Sequence, residues 1–305
     1  MKKIFVLPAR EDWIVDRFVS EWNEDNFDIS TRDPFEADVI WLMASWCWNH
    51  LPFQLLSSKK VVATVHHIVP EKFDDNRRRD FELRDKFVDV YHVYNKETQD
   101  IVKELTNKPV QIIEYWANQK IWKKTSSKLK LREKYNLSKD SYIIGSFQRD
   151  SEGSNQDAPK LEKGPDLFVD YVKKIWKDWK DKKVESPPHV LLAGWRRQFV
   201  INKLTQESIP FTYLERPPQS TLNDLYQTVD LYPVTSRCEG GPQSLIECGL
   251  LDVNVVSRKV GIANQVLPQT AICDDVYNAT PAIPNVEYWK LPLGYSKYRD
   301  FFLGL

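Results

Sequence analysis

Apolar and polar positions vary on two length scales along this chain of 305 residues. Short, β-branched apolar runs recur at residues 3–7, 38–43, 60–65, 90–94 and 110–115, then again at 142–147, 189–193, 211–214, 231–234, 254–257 and 271–273. Between them lie longer amphipathic stretches at 11–22, 74–88, 96–105, 164–179, 196–207, 220–229 and 241–251. Short strands alternating with helices predict α/β units built on parallel sheets. The segment 118–130, polar and lysine-rich, separates the two series and reads as a connection between domains.

The expected organisation is a Rossmann-like domain over 1–120 and a second over 121–280, followed by a Pro- and aromatic-rich tail, 281–305, packing back on the first. A chain of this length has room for two cores. Ligands of doubly wound sheets sit beyond the C-terminal strand ends, so each domain is expected to supply one wall of a cleft.

Composition narrows the class. With 42% hydrophobic and 28% charged residues the chain reads as globular. No apolar run approaches the roughly 20 residues of a membrane span, which leaves only peripheral membrane contact open. The opening MKKIFVLPAREDW meets Arg10 and Glu11 too soon for a signal peptide, and reads as a first buried strand. Cys47, Cys238, Cys248 and Cys273 are scattered without paired spacing, so a reducing, cytoplasmic setting is expected. Net charge is zero, but residues 1–120 carry −4 and the remainder +4. Neither half has the strongly basic character of a nucleic-acid binder. The mild C-terminal excess suits a small anion such as a diphosphate. Arg77, Arg78 and Arg79, with acidic residues close by, read as a solvated helix face.

The densest candidate chemistry is the segment SRCEGGPQSLIE, Ser236 to Glu247, between a strand and an amphipathic stretch. Glycines there allow close backbone approach, and Pro242 suits a first helical turn. The first amides of a helix lack intrahelical partners and carry partial positive charge, which favours an anion. Glu247 falls in about the second turn, where its carboxylate can accept from a ribose diol.

This segment resembles the signature of the retaining glycosyltransferases of family 4, which have the GT-B fold: two glutamates in a pattern like S-x-x-E-G-x-x-x-S-L-x-E. Glu239, Gly240, Ser244, Leu245 and Glu247 meet it. The resemblance implies that Glu247 holds the donor ribose and that Glu239 lies by the transferred sugar. The backbone of Gly240, Gly241, Pro242, Gln243, Ser244 and Leu245 would contact diphosphate and sugar. Upstream, YIIGSFQR (142–149) resembles the first donor-domain strand ending in an arginine, and KGPDL (163–167) resembles the family's K-G-x-D-L helix start. The resemblance assigns Arg149 and Lys163 to the donor's phosphates, as bidentate guanidinium and point charge respectively. The region around Tyr213 and Leu214 corresponds to where the base sits. The likeness is close over about 130–270 and loose before that.

On the acceptor side, Thr64-Val65-His66-His67 resembles the family's T-x-H element, with His66 at the histidine position near the transferred sugar and His67 as its alternative. A buried histidine satisfied by a backbone carbonyl is the other reading of His66. The Gly-rich loop that many members carry after the first strand is replaced by Pro8-Ala9-Arg10-Glu11-Asp12, making Arg10 a substitute candidate. Trp46, Trp48 and Trp116 follow strand runs and can stack on sugars or simply pack. No D-x-D triplet occurs, and no metal or other cofactor is expected. The family likeness thus implies metal-independent, front-face transfer from a UDP-, GDP- or ADP-sugar to a glycan, lipid-linked or small-molecule hydroxyl. Two alternatives are transfer to modified DNA bases, which the acidic first half argues against, and nucleotide-sugar binding without catalysis.

Overall fold

The computed structural model describes residues 2–11, 14–153 and 158–305, and the chain divides into two compact units, 1–115 with 292–305, and 116–291. The sequence boundaries are corrected at both ends: 116–120 and 281–291 belong to the second unit, and only 292–305 of the tail joins the first.

The first unit is a parallel sheet ordered β1 (Ile4–Val6), β2 (Val39–Leu42), β3 (Lys60–Thr64), β4 (Val90–Val93) and β5 (Val110–Ile112). Every residue of β2 and β4 is buried, as expected where helices cover both faces. On the other side of β1, the Ile4 N–H donates to the Ile29 carbonyl at 2.8 Å and the Thr31 N–H to the Ile4 carbonyl at 3.0 Å. The winding therefore reverses at β1, which places the 8–11 turn at a topological switch point. Position 12 of that predicted loop, and 12–13 of the predicted helix over 11–22, lie outside the described residues.

Helix Leu293–Gly304, within the tail expected to pack back on this unit but not read as helical, covers this sheet. Tyr298 and Phe302 point inward, with ring centroids 5.5 and 4.8 Å from that of Trp41. Trp22 meets Phe302 edge-on at 5.6 Å. Aromatic contacts of this geometry add about 0.5–1.5 kcal/mol each beyond area burial. Trp48 and Trp116 are buried packing residues, whereas Trp46 remains 46% exposed.

In the second unit β6 (Tyr142–Ser146), β7 (Pro188–Ala193) and β8 (Phe211–Leu214) form one parallel set, and β9 (Tyr232–Val234) pairs with β10 (Val255–Ser257). A parallel bridge, Ile144 to Leu231, joins the two sets. The order β8-β7-β6-β9-β10 makes the gap between β6 and β9 the switch point. The strand expected at 271–273 is a 3₁₀ turn, Gln269–Ala271, followed by a single bridge from Ile272 to Ser257.

The supposed linker is tied down. Thr125 Oγ1 donates to Asp224 at 2.6 Å, the Lys123 N–H to Asn223 Oδ1 at 3.1 Å, and Ser127 caps helix Lys128–Lys134. Residues 123–130 are exposed, yet several of their polar groups are anchored to protein partners, which polarity alone does not reveal.

Candidate functional site

Three segments of the second unit meet beyond β6 and β9. After β6 the chain runs through Gln148 and Arg149 into an excursion, 150–159, longer than the resemblance leads one to expect; its residues 154–157 lie outside those described. It returns through the 3₁₀ turn Leu161–Lys163 to helix Pro165–Lys180. Gly164, at the junction, has φ +62°, and a Cβ there would stand 2.0 Å from the Thr235 carbonyl oxygen. Only glycine lets the two segments approach so closely. Beyond β9, Thr235 Oγ1 donates to the Gly164 carbonyl at 2.9 Å, and the Arg237 and Cys238 amides donate to the Glu162 carbonyl at 2.8 and 3.1 Å. Arg237 adds an ion pair to Asp166.

This stitching brings Lys163 and Glu239 together. Lys163 Nζ lies 2.6 Å from Glu239 Oε1, which also accepts from Ser236 Oγ at 3.0 Å. Gln148 holds the frame, donating to the Lys163 carbonyl at 3.0 Å and facing Ser236 Oγ through its own oxygen at 3.5 Å. The resemblance assigns Lys163 and Glu239 separate tasks; in the structure they share an ion pair with side chains only 21% and 9% exposed.

Gly240, Gly241 and Pro242 lead into helix Gln243–Leu251, with Pro242 as its N-cap rather than its first turn. Gly261, at φ +54°, closes against this loop; a Cβ there would stand 3.1 Å from both the Glu239 carbonyl oxygen and the Gly240 carbonyl carbon. The Leu245 N–H already donates to the Pro242 carbonyl at 3.0 Å, so that amide is not available to an anion, and the Leu245 side chain is in the core. Ser244 and Gln243 are half-buried in the first turn. Glu247 is 5% exposed, with Oε2 accepting from Tyr226 at 2.6 Å. Burial raises the Tyr226 phenol, with the Glu247 charge adding to it. Tyr226 is therefore a firm donor, orienting Glu247 in a way its sequence neighbours do not foretell.

Arg149 is held differently. Its Nε donates to the Ser151 carbonyl at 3.0 Å, and burial, followed by the charge of Arg196, lowers its pKa. Tyr213 donates through its hydroxyl to the Gly194 carbonyl at 2.9 Å, and Leu214 ends β8 half-buried. Beneath them Arg197 and Asp150 form a 2.7 Å ion pair, both 1% exposed. Nothing in the sequence distinguished these two from ordinary helix-start and loop charges.

In the first unit His66 Nε2 meets the Met43 carbonyl at 3.0 Å, with Trp46 and Tyr94 rings at 5.8 and 5.5 Å. A carbonyl only accepts, so Nε2 carries the proton and Nδ1 is an acceptor. Burial holds the pKa of His66 down to about 4, and that of the neighbouring buried His92 to about 3. The backbone-carbonyl partner allowed for by sequence is therefore present. His67 is half-buried, and Arg10 is exposed at φ +59° with its N–H donating to Asp16 Oδ1 at 2.8 Å.

Both imidazoles bind protons less readily folded than unfolded. Below about pH 6.5 the unfolded chain gains protons that the native state refuses until about pH 4 and pH 3, so stability falls as pH drops through that window. Thermal unfolding from pH 7 to 4 should show this decline, and the His66→Gln/His92→Gln double variant should show a shallower one.

No protein-family model matches the chain, and no curated protein matches it. Solved structures do. One is HepE from Anabaena, in complex with UDP and glucose, at 15% identity and TM-score 0.69, covering 88% of this chain and 84% of that one. Another is sucrose-phosphate synthase from Thermosynechococcus elongatus, at 14%, TM-score 0.64, with coverages of 95% and 78%. A third is a UDP-forming trehalose-phosphate synthase from Burkholderia xenovorans, at 13%, TM-score 0.59, with coverages of 94% and 77%. The chain therefore has the α/β fold of GT-B glycosyltransferases.

Proposed function

We propose that this protein is a retaining, metal-independent glycosyltransferase that moves a sugar from a nucleotide-sugar donor to a hydroxyl acceptor in the cytoplasm. The observation that carries the reading is the Lys163–Glu239 pair, set beside Gly240-Gly241-Pro242 at the switch point between β6 and β9. Lys163 and Arg149 supply positive charge to a diphosphate leaving group, and Glu247, held by Tyr226, receives the donor ribose. Glu239 faces the developing positive charge on the sugar. The bond from anomeric carbon to phosphate oxygen breaks as the bond to the acceptor oxygen forms on the same face. The acceptor's proton passes to the departing phosphate oxygen, so no protein nucleophile is needed. Preorganised charges of this kind act without reorganisation during reaction.

In the first unit Arg10, His66 and His67 are the acceptor- or sugar-side candidates; Arg10 stands at the switch point of that sheet, and His66 Nδ1 can accept from a hydroxyl. Among donors, a UDP-sugar is favoured by the UDP named in two of the structural neighbours. Thermal unfolding with UDP, GDP and ADP tests the reading. A nucleotide at 100 times its Kd adds about 2.7 kcal/mol of stability, and the matching nucleotide sugar should be slowly hydrolysed without acceptor. No shift with any nucleotide and no hydrolysis across the corresponding sugars would refute it. A shift without hydrolysis or transfer would instead favour a non-catalytic binding protein.

A further inference from the structure

Three arginines from three different loops converge on one indole ring. Arg149 follows β6, Arg196 follows β7 and Arg216 follows β8, and their guanidinium carbons lie 5.8, 4.0 and 5.3 Å from the Trp195 ring centroid. Among the described residues no carboxylate forms an ion pair with any of the three. Glu152 and Glu162 act on Arg149 only through longer-range attraction.

The fold enforces this gathering of like charges. Arg196 and Arg216 both hold left-handed backbone, at φ +55° and +45°, which costs a non-glycine residue energy and marks a conformation imposed by its surroundings. The Arg196 carbonyl accepts from the Asp150 and Ser151 amides at 3.2 and 3.1 Å, fixing the β7 loop to the β6 loop. The Tyr213 hydroxyl and the Arg216 N–H both donate to the Gly194 carbonyl, at 2.9 and 3.4 Å, fixing the β8 end to the same loop. Buried beneath, Arg197 binds Asp150, the Ser146 hydroxyl and the Ala193 carbonyl. Repulsion among the three exposed or half-buried guanidinium groups is thus built in. A planar, donor-only fork in triplicate suits a multivalent oxyanion.

We propose that Arg196 and Arg216, gathered with Arg149 around the Trp195 ring, form a subsite for a phosphate-bearing group of the ligand. The assignment of Arg149 rests on the nucleotide-sugar reading; the roles of Arg196 and Arg216 do not. The phosphates can come from the donor nucleotide or from a separate phosphorylated molecule, and the probes distinguish these.

Titration calorimetry on the full chain, with UDP, inorganic pyrophosphate and uridine as probes, compares wild type with R196Q, R216Q and R196K. Pyrophosphate binding should weaken roughly tenfold or more in R196Q and R216Q, the loss expected for one charge-assisted contact. R196K should recover part of it, and uridine binding should not change. Weakening of UDP in parallel identifies the donor as the source. Weakening of pyrophosphate alone identifies a separate phosphate. If neither UDP nor pyrophosphate binding changes in R196Q and R216Q, the subsite is overturned while the donor reading stands. If pyrophosphate binds through Arg196 but no nucleotide binds wild type, the donor reading fails and the subsite stands. Should R196Q misfold, R216Q and R196K carry the same comparison.

Discussion

Glu239→Gln is expected to lower kcat by about 10²–10³ with little change in stability. Losses of that size follow removal of one preorganised electrostatic contact at a reacting centre. The amide keeps the shape of the carboxylate and can still accept from Ser236 Oγ, which lies 3.0 Å from Oε1 in the native site. What it loses is charge, both toward the sugar and toward Lys163 at 2.6 Å. Lys163→Met removes the other half and should raise KM for the donor as well as lower kcat, because the ammonium is assigned to the ground-state diphosphate. The two substitutions share one interaction, so their effects should combine to much less than the product of the single losses. Steady-state kinetics on the four-member cycle measures this. A Glu239→Gln variant within threefold of wild-type kcat would remove Glu239 from the reacting centre.

That prediction was half legible in the sequence, and the reason is physical. Strand and helix identity come from local periodicity, which is why β6 to β10 and the helix at Gln243–Leu251 were expected within a residue or two of where they lie. The resemblance assigns Glu239 and Lys163 to one donor site, but their pairing spans 76 residues and depends on Gly164 admitting the Thr235 backbone. No local signal carries such a contact. Tyr226, which orients Glu247 from 21 residues away, was hidden for the same reason. The covering helix Leu293–Gly304 was obscured because its inward face is built from Tyr295, Tyr298 and Phe302 amid a Pro-rich tail, so composition masked a spacing of three and four. At 118–130, polarity reads as a connection between domains; that Thr125 binds Asp224 and Ser127 caps a helix depends on partners the local sequence does not contain.

The second large effect belongs to the ion pair under the arginine cluster. Arg197→Met should destabilise the second unit by about 3–5 kcal/mol, the range for stranding one member of a buried pair. Asp150 and Arg197 are both 1% exposed, and the guanidinium also serves the Ser146 hydroxyl and the Ala193 carbonyl. Burial raises the Asp150 pKa even with Arg197 and the Ser151 hydroxyl pulling it down, so desolvation already outweighs attraction in the native protein. Without Arg197 the rise must be larger. A group whose folded pKa is raised stabilises the native state as pH falls toward and below its unfolded value, and that contribution is lost as pH rises. The Arg197→Met variant should therefore recover stability relative to wild type as pH drops from 7 toward 5, a sign opposite to that expected from the histidines of the first unit. Adding Asp150→Asn should restore at least half of the loss at pH 7, because replacing both charges removes the stranded carboxylate. Urea unfolding of the three variants and wild type, with transitions compared by fluorescence and circular dichroism because the chain has two units, measures these differences. Equal losses in Arg197→Met and in the double variant would show that Arg197 acts through its hydrogen bonds to Ser146 and Ala193 rather than through charge.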